Sequence, residues 1–155
     1  MRCVLLRHNR HQHSRYLFVH LAKLDVNEPY HRFAGLLFHA AADPKSPLNP
    51  FSDDSAPTRK QAIALYAEVL EGAKQRVPKD LAERLPELLW LHGMGLVLFW
   101  IYDESPGRER TRALTVRSTE LVVKLISLAS NPLLRPLRKA AIRMLEETVG
   151  AKIPT

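Results

Sequence analysis

Histidine is the residue of this chain best suited to chemistry, and six of its seven copies fall into two groups. His8, His11 and His13 form an H-x-x-H-x-H cluster near the start. Imidazoles bind transition metals well, but a structural zinc site needs four ligands in an ordered frame. No carboxylate stands nearby to complete the set, so the cluster reads as a solvated basic tail. His31 and His39 are eight residues apart and share one side of a helix. With His92 they could meet in a cavity and bind a metal, accept hydrogen bonds or orient a ligand. Exposed or internally satisfied helix histidines are the plainer alternative. Tyr66, Trp90, Phe99, Trp100 and Tyr102 offer apolar surface for a pocket or simply for a core. There is no nucleophile elbow, phosphate loop or paired-carboxylate site. Gly93-Met94-Gly95 lacks the preceding strand and the third glycine of a dinucleotide fingerprint. The reading is non-catalytic, with no cofactor and no assigned metal ligand.

The elements that would position these residues are all helical. Met1 to His13 is polar and basic and is expected to fray. Ser14 to Leu24 follows as a short helix with Leu17, Val19, Leu21 and Leu24 available for burial. Asn27 is placed to cap the next helix, with Pro29 in its first turn. Phe33, Leu36, Leu37 and Ala40 give that helix one apolar face, and Asp43-Pro44 ends it near Ala42. Residues 43–57 carry four prolines and read as an ordered or semi-ordered loop anchored by Leu48 and Phe51. Thr58 to Gln61 is a T-x-x-Q capping box. The helix it opens runs to about Gln75 on a stripe of Ile63, Tyr66, Leu70 and Ala73. Asp80 to Leu85 reads as a short helical turn.

Pro86 then starts the most unusual element. From Leu88 the chain reads LLWLHGMGLVLFWIY, in which only His92 is polar. A helix apolar all round is either a central core helix or a membrane span. This run is 15 residues long, short of the roughly 20 needed to cross a bilayer, and burial is the expectation. After a turn over 103–107, Glu109 to Ala129 forms a long helix. Its polar stripe is Arg110, Arg117, Glu120, Lys124 and Ser127, and the rest of its surface is too apolar for a helix that buries only one side. Asn131 caps a last helix, with Pro132 at its first position and Gly150 as terminator.

Composition fits one globular domain of 155 residues, 46% hydrophobic and 25% charged. The lone Cys3 excludes an internal disulfide. No secretory signal is read at the start, and a cytoplasmic location is expected. Residues 1–24 are strongly basic without an acid, 25–106 are net acidic, and 107–155 are basic again. The basic ends could attract nucleic acid non-specifically, or simply solvate helix surfaces.

The stretches DPKSPLNPFSDDSAPTRKQAIALYAEVL, LPELLWLHGMGLVLFWIYD and TELVVKLISLA together resemble the regulatory C-terminal region of tetracycline-repressor-like transcription regulators. The likeness covers about residues 25–150 and is one of helix order and apolar content. It implies a single all-α bundle of about five to six helices that binds ligand and dimerises over 25–150, with 1–24 as tail and short helix and 151–155 as tail. It also implies a homodimer packed through 86–102 and 109–129, with Leu98, Ile101, Leu114, Leu121, Val122 and Leu125 at the interface. A small apolar or amphipathic effector would lie between the second, third and fourth substantial helices. Phe38, Tyr66, Trp90 and Met94 would supply apolar contact there, and His92 a hydrogen bond. The short segment before residue 25 cannot build a helix-turn-helix head, so specific DNA binding by this chain alone is not expected. Two alternatives stand beside this reading. One is a helical interaction module that dimerises without ligand. The other is a small histidine-based metal protein using His31, His39 and His92.

Overall fold

The computed structural model describes residues 2–71 and 77–149, with side chains from Arg15 onward except at 145, 146, 148 and 149. The side chains of His8, His11 and His13 lie outside the described residues, as do Ala73, Gln75, Gly150 and the tail 151–155. Among the described residues seven helices follow one another: α1 Arg2–Asn27, α2 His31–Ala41, α3 Ala56–Glu71, α4 Lys79–Ala82, α5 Leu85–Ile101, α6 Glu109–Ala129 and α7 Arg135–Val149. Short 3-10 turns lead into α2, α6 and α7. The chain is all-α, and no strand occurs among the described residues.

The first element departs from expectation. A single helix of 26 residues replaces the tail and short helix. Neither glycine nor proline occurs before Pro29, so nothing in the sequence stops helix propagation. The face it buries is only partly the expected one, with Leu24 buried and Leu17, Val19 and Leu21 half-buried. Tyr16, His20 and Leu24 are buried, while Phe18 is 71% exposed. Asn27 does not cap α2. It ends α1, and its side-chain amide donates back to the Lys23 carbonyl at 2.7 Å. The Thr58 capping box is also absent, because α3 begins two residues earlier at Ala56. Pro57 is tolerated in that first turn.

Helix α5 is the hub. Leu85, Leu89, Trp90, Gly93, Leu96 and Trp100 are buried on it, under cover from α1, α2, α3 and α6. Tyr66 and Val69 of α3 and Ile126 of α6 complete the core with Tyr16. No helix among the described residues is long and apolar enough to cross a membrane.

Helix α6 spans the expected residues but buries an unexpected face. Thr111, Thr115 and Thr119 are fully covered, with Val123 and Ile126 further along. Threonines four residues apart leave room for α1 to pack closely, and the Thr115 hydroxyl donates to the Thr111 carbonyl at 2.8 Å. Leu114, Leu121, Leu125 and Leu128 remain on the surface, between 37% and 56% exposed.

Buried Asp103 fixes the entry to α6. Its carboxylate accepts from the Thr111 N–H at 2.8 Å, the Thr111 hydroxyl at 2.6 Å and the Ser105 hydroxyl at 2.6 Å. Burial pushes its pKa up, but the bonds from Ser105 and Thr111 outweigh this and hold it below the usual carboxylate range. The turn needs positive φ at Gly107 and at Arg108. Arg108 holds that left-handed conformation while its guanidinium reaches the Asp103 carbonyl, Glu28 and His31. The acid anchors the turn, so Asp103→Ala is expected to lower the unfolding free energy by about 2 kcal/mol or more. Urea denaturation followed by circular dichroism checks this, and wild-type stability in the variant would refute it.

Candidate functional site

A cavity of about 790 Å³ lies between α1, α2, α5 and the loop joining α2 to α3. That size suits a drug-sized ligand. One wall is α1 at His20, Lys23, Leu24 and Asn27, spaced three, one and three residues apart on one helical face. Opposite stand Leu37 and Phe38 of α2, with Met94, Leu96 and Ile101 of α5. Leu48 and Phe51 come from the proline-rich loop. Successive turns order this loop, and Arg59 staples it to α3 by donating to the Pro50 carbonyl at 2.6 Å and the Ser52 carbonyl at 3.0 Å. Phe51 also meets Trp90 edge-on, with ring centres 5.7 Å apart.

Behind the α1 wall lies a buried polar cluster. Tyr16, His20, Tyr66 and His92 touch ring to ring, with centres 4.6 to 6.0 Å apart. Gly93 makes the cluster possible. A Cβ there would stand 2.4 Å from the Tyr66 hydroxyl and 3.0 Å from His20 Cε1. Among the described residues, neither His20 Nε2 nor the Tyr66 hydroxyl has a hydrogen-bond partner. Burial, then the charges of His92 and Lys23, brings the His20 pKa down to about 3. Burial also lowers His92 and Lys23, and raises the Tyr66 hydroxyl to about 12. Both histidines are therefore neutral near pH 7.

His92 joins three helices. Its Nδ1 is 2.6 Å from the Tyr16 hydroxyl and its Nε2 is 2.9 Å from Ser118 Oγ. A serine beside a histidine suggests a nucleophile with its base, but the surroundings do not support that chemistry. Ser118 sits inside α6, where backbone N–H groups are spent on the helix and none is free to stabilise an oxyanion. None of the three residues lines the cavity. The line is a buried polar tie between α1, α5 and α6.

The expected site residues separate in space. Phe38 and Met94 line the cavity. Tyr66 lies behind Gly93, and Trp90 is in the core against Phe51. His92 turns towards α6. His31 and His39 do not join it. His31 Nε2 is 2.9 Å from the Trp100 carbonyl and its Nδ1 is 3.1 Å from Arg108, while His39 is exposed. The three-histidine metal site is therefore not assembled, and no other metal-competent cluster occurs among the described residues. Of the expected interface residues, Leu98, Leu114, Leu121 and Leu125 are exposed, whereas Ile101 lines the cavity and Val122 packs on the core.

Residues 15–143 match the family described as tetracyclin repressor-like, C-terminal domain. The chain belongs to that family. Its members' C-terminal domains form parts of regulatory proteins, and the helical bundle and cavity described above belong to this domain. No curated protein matches the chain. Sequence reasoning missed His20 and Lys23 on the cavity wall and Tyr16 in the cluster behind it. Their spacing of four and three was legible as one helical face continuing to Leu24, but Leu24 was grouped instead with Leu17, Val19 and Leu21.

The two glycines of α5 are expected to respond oppositely. Gly93→Ala forces Tyr66 and His20 aside and is expected to destabilise, since overpacking costs about 1–3 kcal/mol. That exceeds the ~1 kcal/mol that alanine gains in helix propensity. At Gly95 nothing lies within 4 Å of an added Cβ, so Gly95→Ala is expected to stabilise by roughly 0.5–1 kcal/mol. Equal shifts of one sign in thermal unfolding would contradict this. A pH dependence also follows. An unfolded histidine takes up a proton near pH 6.5, whereas folded His20 does not until about 3. Its stabilisation is complete above about pH 6.5 and is lost on acidification, about 2 kcal/mol by pH 5. Urea unfolding at pH 7.5 and pH 5 should show that loss, and His20→Gln should reduce it.

Proposed function

We propose that this chain is the effector-sensing and dimer-forming part of a cytoplasmic transcription regulator, and that it is not an enzyme. The observation that carries the reading is the cavity of about 790 Å³ inside a domain of this family. The effector is small and apolar or amphipathic. It contacts Phe38 and Met94 directly. Tyr66, Trp90 and His92 support the walls from behind, through Gly93, Phe51 and Tyr16 respectively. Residues 2–27 form one helix, which leaves no three-helix reading head among the described residues, and on this reading the chain alone binds no specific operator.

The dimer face we assign runs along α6. Leu114, Leu121, Leu125 and Leu128 recur at spacings of seven, four and three, as in a coiled-coil seam. Leu98 of α5 is likewise exposed. Ile101 and Val122 support this face from inside. Helix α5 contributes both cavity wall and interface, so effector occupancy would bias how two subunits meet.

Two measurements test the reading. Sedimentation equilibrium should give a dimer at micromolar concentration, and Leu121→Arg with Leu125→Arg should give a helical monomer. A wild-type chain that stays monomeric at high micromolar concentration would remove the dimer. Nile red, a neutral apolar dye, should bind with enhanced fluorescence, and a folded Met94→Trp variant that fills the cavity should lose it. Dye binding unaffected by the filled cavity would sink the effector site.

A further inference from the structure

The cavity is electrically one-sided. Among the described residues, Lys23 and His20 are its only ionisable lining residues, and neither aspartate nor glutamate lines it. Lys23 has no carboxylate partner among the described residues. Its ammonium stands 5.9 Å from the centre of the Tyr66 ring, at the outer limit of a cation–π contact. Burial already pulls its proton affinity down. One turn away on the same wall is His20, only 3% exposed, with Nε2 unpartnered. Buried polar groups are normally hydrogen-bonded, and buried charges are normally paired. Beyond these groups Asn27, Asn49 and Thr58 add neutral polar contacts, and the rest of the walls is mostly aliphatic and aromatic, from Leu37, Phe38, Leu96 and Ile101.

We propose, resting on the effector-binding reading above, that the cavity takes a lipophilic carboxylic acid, with its carboxylate held by Lys23 and His20 on the α1 wall. The apolar body of the acid lies between α2 and α5. The chemistry excludes the alternatives in turn. An amine would be repelled by Lys23. An alcohol would leave the half-buried Lys23 charge without a partner. A phosphate dianion would bring more negative charge than one lysine balances. The monoanion matches the single cation; its oxygens accept from the ammonium and, once the neutral His20 ring turns its buried Nε2–H to the cavity, from that nitrogen.

Isothermal titration of the whole chain with decanoate, decan-1-ol, decylamine and decyl phosphate, all below micelle-forming concentration, tests this. Decanoate is expected to bind about tenfold or more tighter than decan-1-ol, as a charge-assisted hydrogen bond provides. Decylamine is expected not to bind. Lys23→Met should remove the preference for the acid, with decan-1-ol binding at least as tightly as to the wild type, and Lys23→Arg should keep the preference. Circular dichroism establishes that each variant is folded. Equal affinity for acid and alcohol, an unaffected Lys23→Met, or decyl phosphate binding more tightly than decanoate would overturn the assignment. If Nile red binds and decanoate does not, the carboxylate proposal alone falls. If neither binds, the effector cavity falls with it.

Discussion

A helix without a polar face has apolar surface to cover on most sides, and α5 draws that cover from several elements at once, leaving Gly95, Leu98 and Phe99 exposed. α3 contributes Tyr66 and Val69, α6 contributes Ile126, and α1 lies across with Tyr16 and His20. Helix α2 and the proline-rich loop cover the remaining side loosely, and the space they leave is the cavity. The core and the site are thus two consequences of one requirement. Where cover is tight there is core, and where it is loose there is a chamber.

The polar groups on α1 and α3 meet α5 at its one accommodating position. Gly93 has no side chain to oppose the Tyr66 hydroxyl or the His20 ring. The cluster that results is ordered on one flank and unsatisfied on the other. His92 is fully engaged between Tyr16 and Ser118, whereas His20 Nε2 and the Tyr66 hydroxyl are unpartnered among the described residues. A polar network that is satisfied ties helices together, and an unsatisfied edge favours a ligand that can complete it. The tie and the edge share the same aromatic cluster, so ligand contact on α1 would bear on the packing of α5 and α6.

A second network fixes the far end of α5. Trp100 donates from its indole to Glu28 at 3.0 Å, and its carbonyl is 2.9 Å from His31 Nε2. Arg108 closes the set through His31, Glu28 and the Asp103 carbonyl. These contacts set the start of α2 relative to α5 and so hold one mouth of the cavity. His31 serves this network, which is why it does not reach His92.

The sequence by itself located the helices after the first, to within a turn at their ends. Apolar spacing located α5 and α6, Pro86 and Asn131 marked starts, and the four prolines after Asp43 marked the loop. These are local signals, carried by residues within a turn or two of each other. The resemblance read from helix order also named the family that residues 15–143 match. Tertiary structure decided which face of each helix turns inward. On α6 the close approach of α1 selected threonines over leucines, and on α1 the gap at Gly93 admits His20 while Leu17, Val19 and Leu21 stay half-buried. That choice depends on the shape of a neighbour far away in the chain, and no local periodicity encodes it. Phe38 and Met94 reached the cavity because their helices border it. Lys23 and His20 could be assigned to it only once α1 had been laid against α5.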